Sequence, residues 1–124
     1  MQFPEDVKYT AEHEWVRATE SGFRIGITSY AQDQLGDIVF VDLPSLGSSV
    51  SKGDVMVEVE STKSVGEVYA PFAGTVFAVN DAVTDHPELV NQQPYDDGWL
   101  VELSDVDDSD VEFLDAGAYR SLVE

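Results

Sequence analysis

The chain has 124 residues, and 25 of them are Asp or Glu against six Lys or Arg, giving a net charge of −19 at pH 7. A hydrophobic fraction of 43% supports one globular domain over residues 1–124, which at this length buries about two-thirds of its unfolded surface. The absence of cysteine excludes disulfide staples, thiolate metal sites and thiol nucleophiles, the charge repels nucleic acid, and no apolar run is long enough for a membrane span.

In chain order, Met1-Gln2-Phe3-Pro4-Glu5-Asp6 has neither the apolar core of an export signal nor the Arg-rich character of an organellar presequence, so a cytoplasmic address is expected. Glu14-Trp15-Val16-Arg17-Ala18 and Phe23-Arg24-Ile25-Gly26-Ile27 flank Glu20-Ser21-Gly22 and read as a β-hairpin. Ser29-Tyr30-Ala31-Gln32 fits a capping box and Gly36 a C-terminal stop, which predicts a short helix over 29–35. Residues 37–43 form a compact apolar strand ended by Pro44, and Val55-Met56-Val57-Glu58-Val59-Glu60 and Thr75-Val76-Phe77-Ala78-Val79 alternate as strands do. Ser109-Asp110-Val111-Glu112 is a second capping box; it predicts a C-terminal helix with Val111, Leu114, Ala118 and Leu122 on one face.

A faint internal repeat relates two of these units. Gly36-Asp37-Ile38-Val39-Phe40-Val41 resembles Gly74-Thr75-Val76-Phe77-Ala78-Val79, and Asp54-Val55-Met56-Val57-Glu58-Val59 resembles Gly98-Trp99-Leu100-Val101-Glu102-Leu103. Two such β-units would stack as a sandwich and bury their apolar faces against each other. Between them lies Lys63, inside Glu60-Ser61-Thr62-Lys63-Ser64 and flanked by strand-like alternation on both sides. Small polar neighbours at a hairpin tip leave a lone amine rigidly held and open to a modifying enzyme. By itself, a lysine on a turn is most simply a solvated side chain.

The surrounding residues carry more. Glu60-Ser61-Thr62-Lys63-Ser64 resembles the lipoyl-attachment motif of the glycine cleavage system H proteins. The resemblance extends over nearly the whole chain, through Tyr9-Thr10-Ala11-Glu12-His13-Glu14-Trp15-Val16, Gly26-Ile27-Thr28-Ser29-Tyr30-Ala31-Gln32, and Leu35-Gly36-Asp37-Ile38-Val39-Phe40-Val41-Asp42-Leu43-Pro44. It continues through Tyr69-Ala70-Pro71, Gly74, Asn80, Pro87-Glu88-Leu89-Val90-Asn91, Tyr95 and Asp97-Gly98-Trp99-Leu100. It implies a mainly β fold, a lipoyl-domain-like barrel-sandwich hybrid with short added helices including a C-terminal one, and lipoate in amide linkage to Lys63. It also implies a non-catalytic carrier that takes the aminomethyl group of glycine from a pyridoxal-phosphate-dependent glycine decarboxylase (P protein). A tetrahydrofolate-dependent aminomethyltransferase (T protein) receives that group, and dihydrolipoamide dehydrogenase (L protein) then reoxidises the carrier. Glu60 and Gly74 match positions that the family uses for recognition by the lipoate-attaching enzyme, and Glu14 matches a carboxylate near the loaded arm. Some relatives have His where this chain has Gln34. An alternative within the same class is an H-like protein that relays lipoyl groups to other 2-oxoacid dehydrogenase complexes.

Other readings of the residues are weaker. His13 and His86, the only imidazoles, have no nucleophile placed beside them by sequence, which leaves little for a small acidic hydrolase built on His13 and nearby carboxylates. Asp105-Val106-Asp107-Asp108-Ser109-Asp110 lacks the glycine and glutamate of an EF-hand, having Asp110 and Ala116 at those positions, so no metal is expected. No heptad seam is present, and a monomer is expected. The charge excess predicts a halophilic protein from a salt-rich cytosol, where a Debye length of about 3 Å at 1 M salt screens self-repulsion that about 10 Å at 0.1 M does not. An ordinary acidic protein with a basic partner is the alternative.

Overall fold

The structure is a computed structural model, and it describes residues 2–107 and 111–124. Nine strands and four short helices are described: β1 Lys8–Tyr9, β2 Glu14–Ala18, β3 Phe23–Ile27, α1 Ser29–Leu35, β4 Ile38–Asp42, β5 Ser49–Val50, β6 Val55–Ser61, β7 Val65–Tyr69, β8 Ala73–Val79, α2 Ala82–Asp85, α3 Glu88–Gln92, β9 Val101–Asp107 and α4 Ala116–Val123. They form a six-stranded sheet in the order β1-β2-β3-β9-β8-β5 and a three-stranded sheet in the order β4-β6-β7. Every pairing is antiparallel.

The two sheets face each other across one core. Val16, Ile25, Val76, Val101 and Leu103 of the larger sheet pack with Ile38, Val41, Val57, Val59 and Val68 of the smaller one. The internal repeat falls across this interface: β4 pairs with β6 in one sheet and β8 with β9 in the other. The registers differ, because Val41 opposes Val59 while Val79 opposes Val101, two residues short of the repeat equivalent. The two bulges of the β8–β9 pair cancel, so Ala73–Asp107 and Val79–Val101 share one register and the offset is a shift of the whole pairing.

A second apolar cluster covers the other face of β1 and β2. Trp15 belongs to it while its neighbour Val16 points into the main core, as the two-residue period of a strand demands. Gly26, opposite Trp15, must lack a side chain, since a Cβ there would lie 2.7 Å from the indole. Phe3, Val7, Tyr9, Tyr95, Ala116 and Tyr119 complete its buried part, with Tyr9 and Tyr119 stacked at 4.7 Å.

The helix over 29–35 forms as expected, but its cap and the start of the C-terminal helix need correction. The N-cap of α1 is Thr28, not Ser29: its side chain accepts from the Ala31 backbone N–H at 3.2 Å, while Gln32 Nε2 donates to the Ser29 carbonyl at 3.1 Å. The C-terminal helix begins at Ala116, capped by Asp115, whose Oδ1 accepts from Ala118 N at 2.8 Å. Ser109 and Asp110 of the second capping box lie outside the described residues. Val111 precedes the helix, and Leu114 is instead bridged to Tyr9 by two backbone hydrogen bonds. The buried face of α4 is therefore Ala116 and Tyr119, and Ala118 and Leu122 face outward.

Strand β4 also departs from a simple apolar run. A bulge between Ile38 and Phe40 places two residues against one of β6, so Val39 and Phe40 are both exposed while Ile38 and Val41 are both buried. The bulge carries Phe40 to the outer face of the small sheet.

Candidate functional site

Lys63 sits at the tip of the β6–β7 hairpin, exposed. The tip is organised by Ser61. Its backbone N–H donates to the Ser64 carbonyl at 2.8 Å, its hydroxyl donates to the same oxygen at 3.0 Å, and that hydroxyl accepts from Lys63 N at 3.2 Å and Ser64 N at 3.0 Å. A short hydroxyl side chain can satisfy turn amides in this way where a longer one cannot. Thr62 N donates to the Asp37 carbonyl at 3.1 Å, which ties the tip to the segment between α1 and β4. The stem of Lys63 runs over Gly36: a Cβ at that glycine would come within 3.2 Å of Lys63 Cε. Gly36 also has φ 88°, the left-handed region that ends α1.

Beside the tip opens a cleft of about 340 Å³. Tyr30, Ala31, Gln34 and Leu35 of α1 form one wall, and Val59, Gly66 and Val68 of the small sheet form the other. Leu35 and Gly66 stand at the end nearest Lys63; a Cβ at Gly66 would lie 2.9 Å from Leu35 Cδ2. Glu12, His13 and Glu14 close the other end.

Glu14 is the most unusual group here. It is only 2% exposed, yet no cation pairs with it among the described residues. Thr10 Oγ1 donates to its Oε1 at 2.7 Å, and the Tyr69 backbone provides a second hydrogen bond. Burial pushes its pKa up to about 7, the nearby Glu12 charge pushes the same way, and the two hydrogen bonds pull back. The carboxyl is thus poised to change charge near neutral pH. Glu14 also lines a larger cleft, about 460 Å³, with Thr10, Lys52, Tyr69, Pro71 and Glu112. That cleft lacks Leu35 and Gly66, so only the smaller one begins at the hairpin tip.

His13 adopts φ 72°, rare for a residue with a side chain. Its Nδ1 lies 2.8 Å from the Tyr119 hydroxyl, which lies 2.7 Å from Thr28 Oγ1. Burial lowers the His13 pKa and favours the neutral ring. His13 is thus a wall of the cleft, anchored to the C-terminal helix. His86 is exposed at the end of α2, 3.3 Å from Glu88.

Of the residues singled out from sequence, Lys63 and Glu60 share one hairpin and Glu14 lies at the end of the adjoining cleft. Gly74 is elsewhere. It sits within β8 of the six-stranded sheet rather than in a turn, beside a bulge and opposite β9, where a Cβ would lie 3.0 Å from the Ser104 carbonyl oxygen. Sequence reasoning missed Tyr30, Leu35, Gly66 and Tyr119. Tyr30 and Gln34 are four apart and so share a helix face, which is the one signal that could have found that wall.

Comparison with known proteins agrees with this arrangement. Residues 7–124 match the family model described as glycine cleavage H-protein. The glycine cleavage system H protein of Listeria monocytogenes serotype 4b is 54% identical over 114 residues, covering 92% of this chain and 91% of that relative. The one from Anaeromyxobacter sp. (strain K) is 49% identical over 125 residues, covering 100% of this chain and 98% of the relative. The crystal structure of a glycine cleavage system H protein from Mycobacterium marinum superposes with a TM-score of 0.86 at 40% identity, covering 96% of this chain and 97% of that one. Its fold is the lipoyl-domain barrel-sandwich, and the two facing sheets with short helices have the same architecture. Among the described residues no helix is long and apolar enough to cross a membrane. The chain therefore belongs to the glycine cleavage H-protein family, the lipoyl carrier component of the glycine cleavage system.

Proposed function

We propose that Lys63 is the lipoyl-bearing residue and that this chain, acting as a single carrier domain, conveys the aminomethyl group of glycine between enzymes. Glycine decarboxylase loads it, the tetrahydrofolate-dependent aminomethyltransferase unloads it, and dihydrolipoamide dehydrogenase reoxidises the carrier. The observation that carries this reading is the alignment of an exposed amine at a rigid hairpin tip with a cleft that starts beside it and ends at a buried carboxyl.

Lipoate, when attached, supplies a strained disulfide that is readily reduced at the end of a long tether. The protein's residues do the rest. Ser61 fixes the tip so that Lys63 Nζ projects from a backbone of one shape. Acylation of Nζ removes the lysine charge, which suits a side chain running over Gly36 toward the apolar walls of Leu35 and Val68. At the far end Glu14 would pair with the ammonium of the cargo. A cation arriving there favours the ionised carboxyl, drawing its pKa down from about 7 and replacing a desolvated lone charge by a hydrogen-bonded pair. Gln34, on the wall, offers an amide where some relatives have His. The acidic surface suits a salt-rich cytosol, where short-range fit governs docking more than long-range steering.

Intact-mass measurement of the protein from lipoate-replete cells tests the attachment. A lipoyl adduct that disappears in Lys63→Arg supports it; unmodified native protein refutes it. Glycine-dependent CO₂ exchange with cognate partners separates the glycine cycle from a role in relaying lipoyl groups to other complexes. The lifetime of the aminomethyl-loaded form should shorten in Glu14→Gln, and an unchanged lifetime removes Glu14 from this role.

A further inference from the structure

Glu14 is held by the turn that precedes it. Thr10 N donates to the Glu14 carbonyl at 3.0 Å, and His13 N donates to the Thr10 carbonyl at 3.1 Å. With His13 in the left-handed region at φ 72°, these bonds close Ala11-Glu12-His13 into a three-residue loop between β1 and β2. The neighbouring pair, Tyr9 and Trp15, packs into the second apolar cluster. Thr10 and Glu14, one residue nearer the loop on each strand, therefore point to the opposite face, where the clefts lie. Both are buried, at 7% and 2% exposure.

The Thr10 hydroxyl accepts from Glu14 N at 3.2 Å and donates to Glu14 Oε1 at 2.7 Å. Accepting from the amide leaves its one proton for the carboxyl, so the direction of that bond is fixed. Thr10 lines the larger cleft and not the smaller, whereas Glu14 lines both. The hydroxyl thus grips the carboxyl from the side away from the arm's approach. We propose that Thr10 is a positioning residue for the cargo, its hydroxyl keeping the Glu14 carboxylate charged and turned toward the aminomethyl ammonium in the smaller cleft; this rests on the proposed pairing of that ammonium with Glu14. A buried carboxyl tends to take up a proton, and the neutral acid holds an ammonium far more weakly than the carboxylate does. A hydrogen-bond donor fixed on one oxygen opposes that protonation. Together with the Tyr69 backbone bond it also restricts rotation of the carboxyl.

The experiment uses the lipoylated full-length chain, loaded with the aminomethyl group by glycine decarboxylase and glycine, and follows loss of that group by mass from pH 5 to 8. Thr10→Val keeps the outline of the side chain and removes the donor. The midpoint below which the loaded form is lost should move up by about one pH unit, so that the lifetime falls about tenfold below both midpoints and approaches the wild type at pH 8. Glu12 and His13 of the loop, Tyr30 of α1, Lys52 of the β5–β6 turn, Glu67 and Tyr69 of β7, and Glu112 line the same clefts. The substitution alters none of them, so their titration is common to both proteins. Thr10→Ser restores the hydroxyl and should restore the profile. Thr10→Ala removes the donor without setting a methyl against the carboxyl, and it should repeat the shift where the Val chain does not fold. In a Glu14→Gln background, adding Thr10→Val should bring no further pH-dependent change. An unmoved midpoint, an equal shortening at every pH, or the full shift in the Glu14→Gln background overturns the positioning role while leaving Glu14 paired with the cargo. An unchanged lifetime in Glu14→Gln alone overturns that pairing, and this inference with it.

Discussion

Thr10 Oγ1 donates a 2.7 Å hydrogen bond to Glu14 Oε1 in surroundings that leave the carboxyl 2% exposed, so a group that prefers to ionise in water is held where ionisation is costly. With a pKa of about 7 in the folded chain and 4.5 when exposed, Glu14 binds a proton in the native state that it has lost in the unfolded one throughout that interval. Its contribution to stability is fully present below about pH 4.5 and is lost as pH rises through 7, about 3 kcal/mol in total. Glu14→Gln removes this dependence. Chemical denaturation of the two proteins across pH 4 to 8 should show the variant gaining on the wild type as pH rises; parallel curves would contradict a raised Glu14 pKa.

Like charges set a second expectation. Asp42, Glu58 and Glu67 are register partners across β4, β6 and β7, and directly opposed carboxylates destabilise a sheet. Glu58, between the other two, feels both. Glu58→Gln should raise Tm by a few degrees at low ionic strength and by almost nothing in molar salt, where the charges are screened. Melts of both proteins over a salt series measure this, and a gain independent of salt would mean that repulsion is not its source.

The Tyr119 hydroxyl lies between His13 Nδ1 and Thr28 Oγ1 and so couples α4 to the cleft wall. Tyr119→Phe keeps the ring stacked on Tyr9 but takes one partner from half-buried His13 and one from buried Thr28, which keeps its bond from Ala31 N, at a cost of about 1 kcal/mol. It also frees the side chain of His13, whose backbone has φ 72°, from its contact with α4. Denaturation should report the loss, and crystallography of the variant should show residues 12–14 displaced. Unchanged backbone there would show that His13 is held by its neighbours alone.

What could be read from the sequence was local. Lys63 stood out because alternation stops on both sides of four small or polar residues, and the β2–β3 hairpin and the end of α1 at Gly36 were equally evident. The cleft was not visible, because its walls come from α1 and β7, some thirty residues apart, and meet only when the sheets close. Glu14 reads as one polar residue among several in Glu12-His13-Glu14; its burial is a tertiary fact. The start of α4 was misplaced because Leu114 satisfies its backbone against Tyr9, and that pairing overrides a helix-start pattern. Phe40 was hidden for a related reason: a bulge shifts alternation by one, and an apolar run does not reveal which of its members is extra.

Asn91 offers the most direct test of how the platform under Lys63 is held. From α3, its Oδ1 accepts from Ile38 N while its Nδ2 donates to Gln32 Oε1 and to the Gly36 carbonyl, all at 2.8 Å. One side chain thus fastens the end of α1 to the start of β4, on either side of the Asp37 carbonyl that receives Thr62 N. Asn91→Asp keeps the acceptor for Ile38 but turns a second acceptor toward two oxygens that each lose a donor. The expected cost is about 2 kcal/mol near neutral pH, where the new carboxylate is ionised. The site's acceptors disfavour that ionised form, so the new group should have a raised pKa, and a protonated acid can return one hydrogen bond. Stability relative to the wild type should therefore recover as pH falls toward 4, and acylation of Lys63 at pH 7 should slow as the tip loosens. Equal loss at both pH values would mean that the variant disturbs packing rather than this hydrogen-bond set.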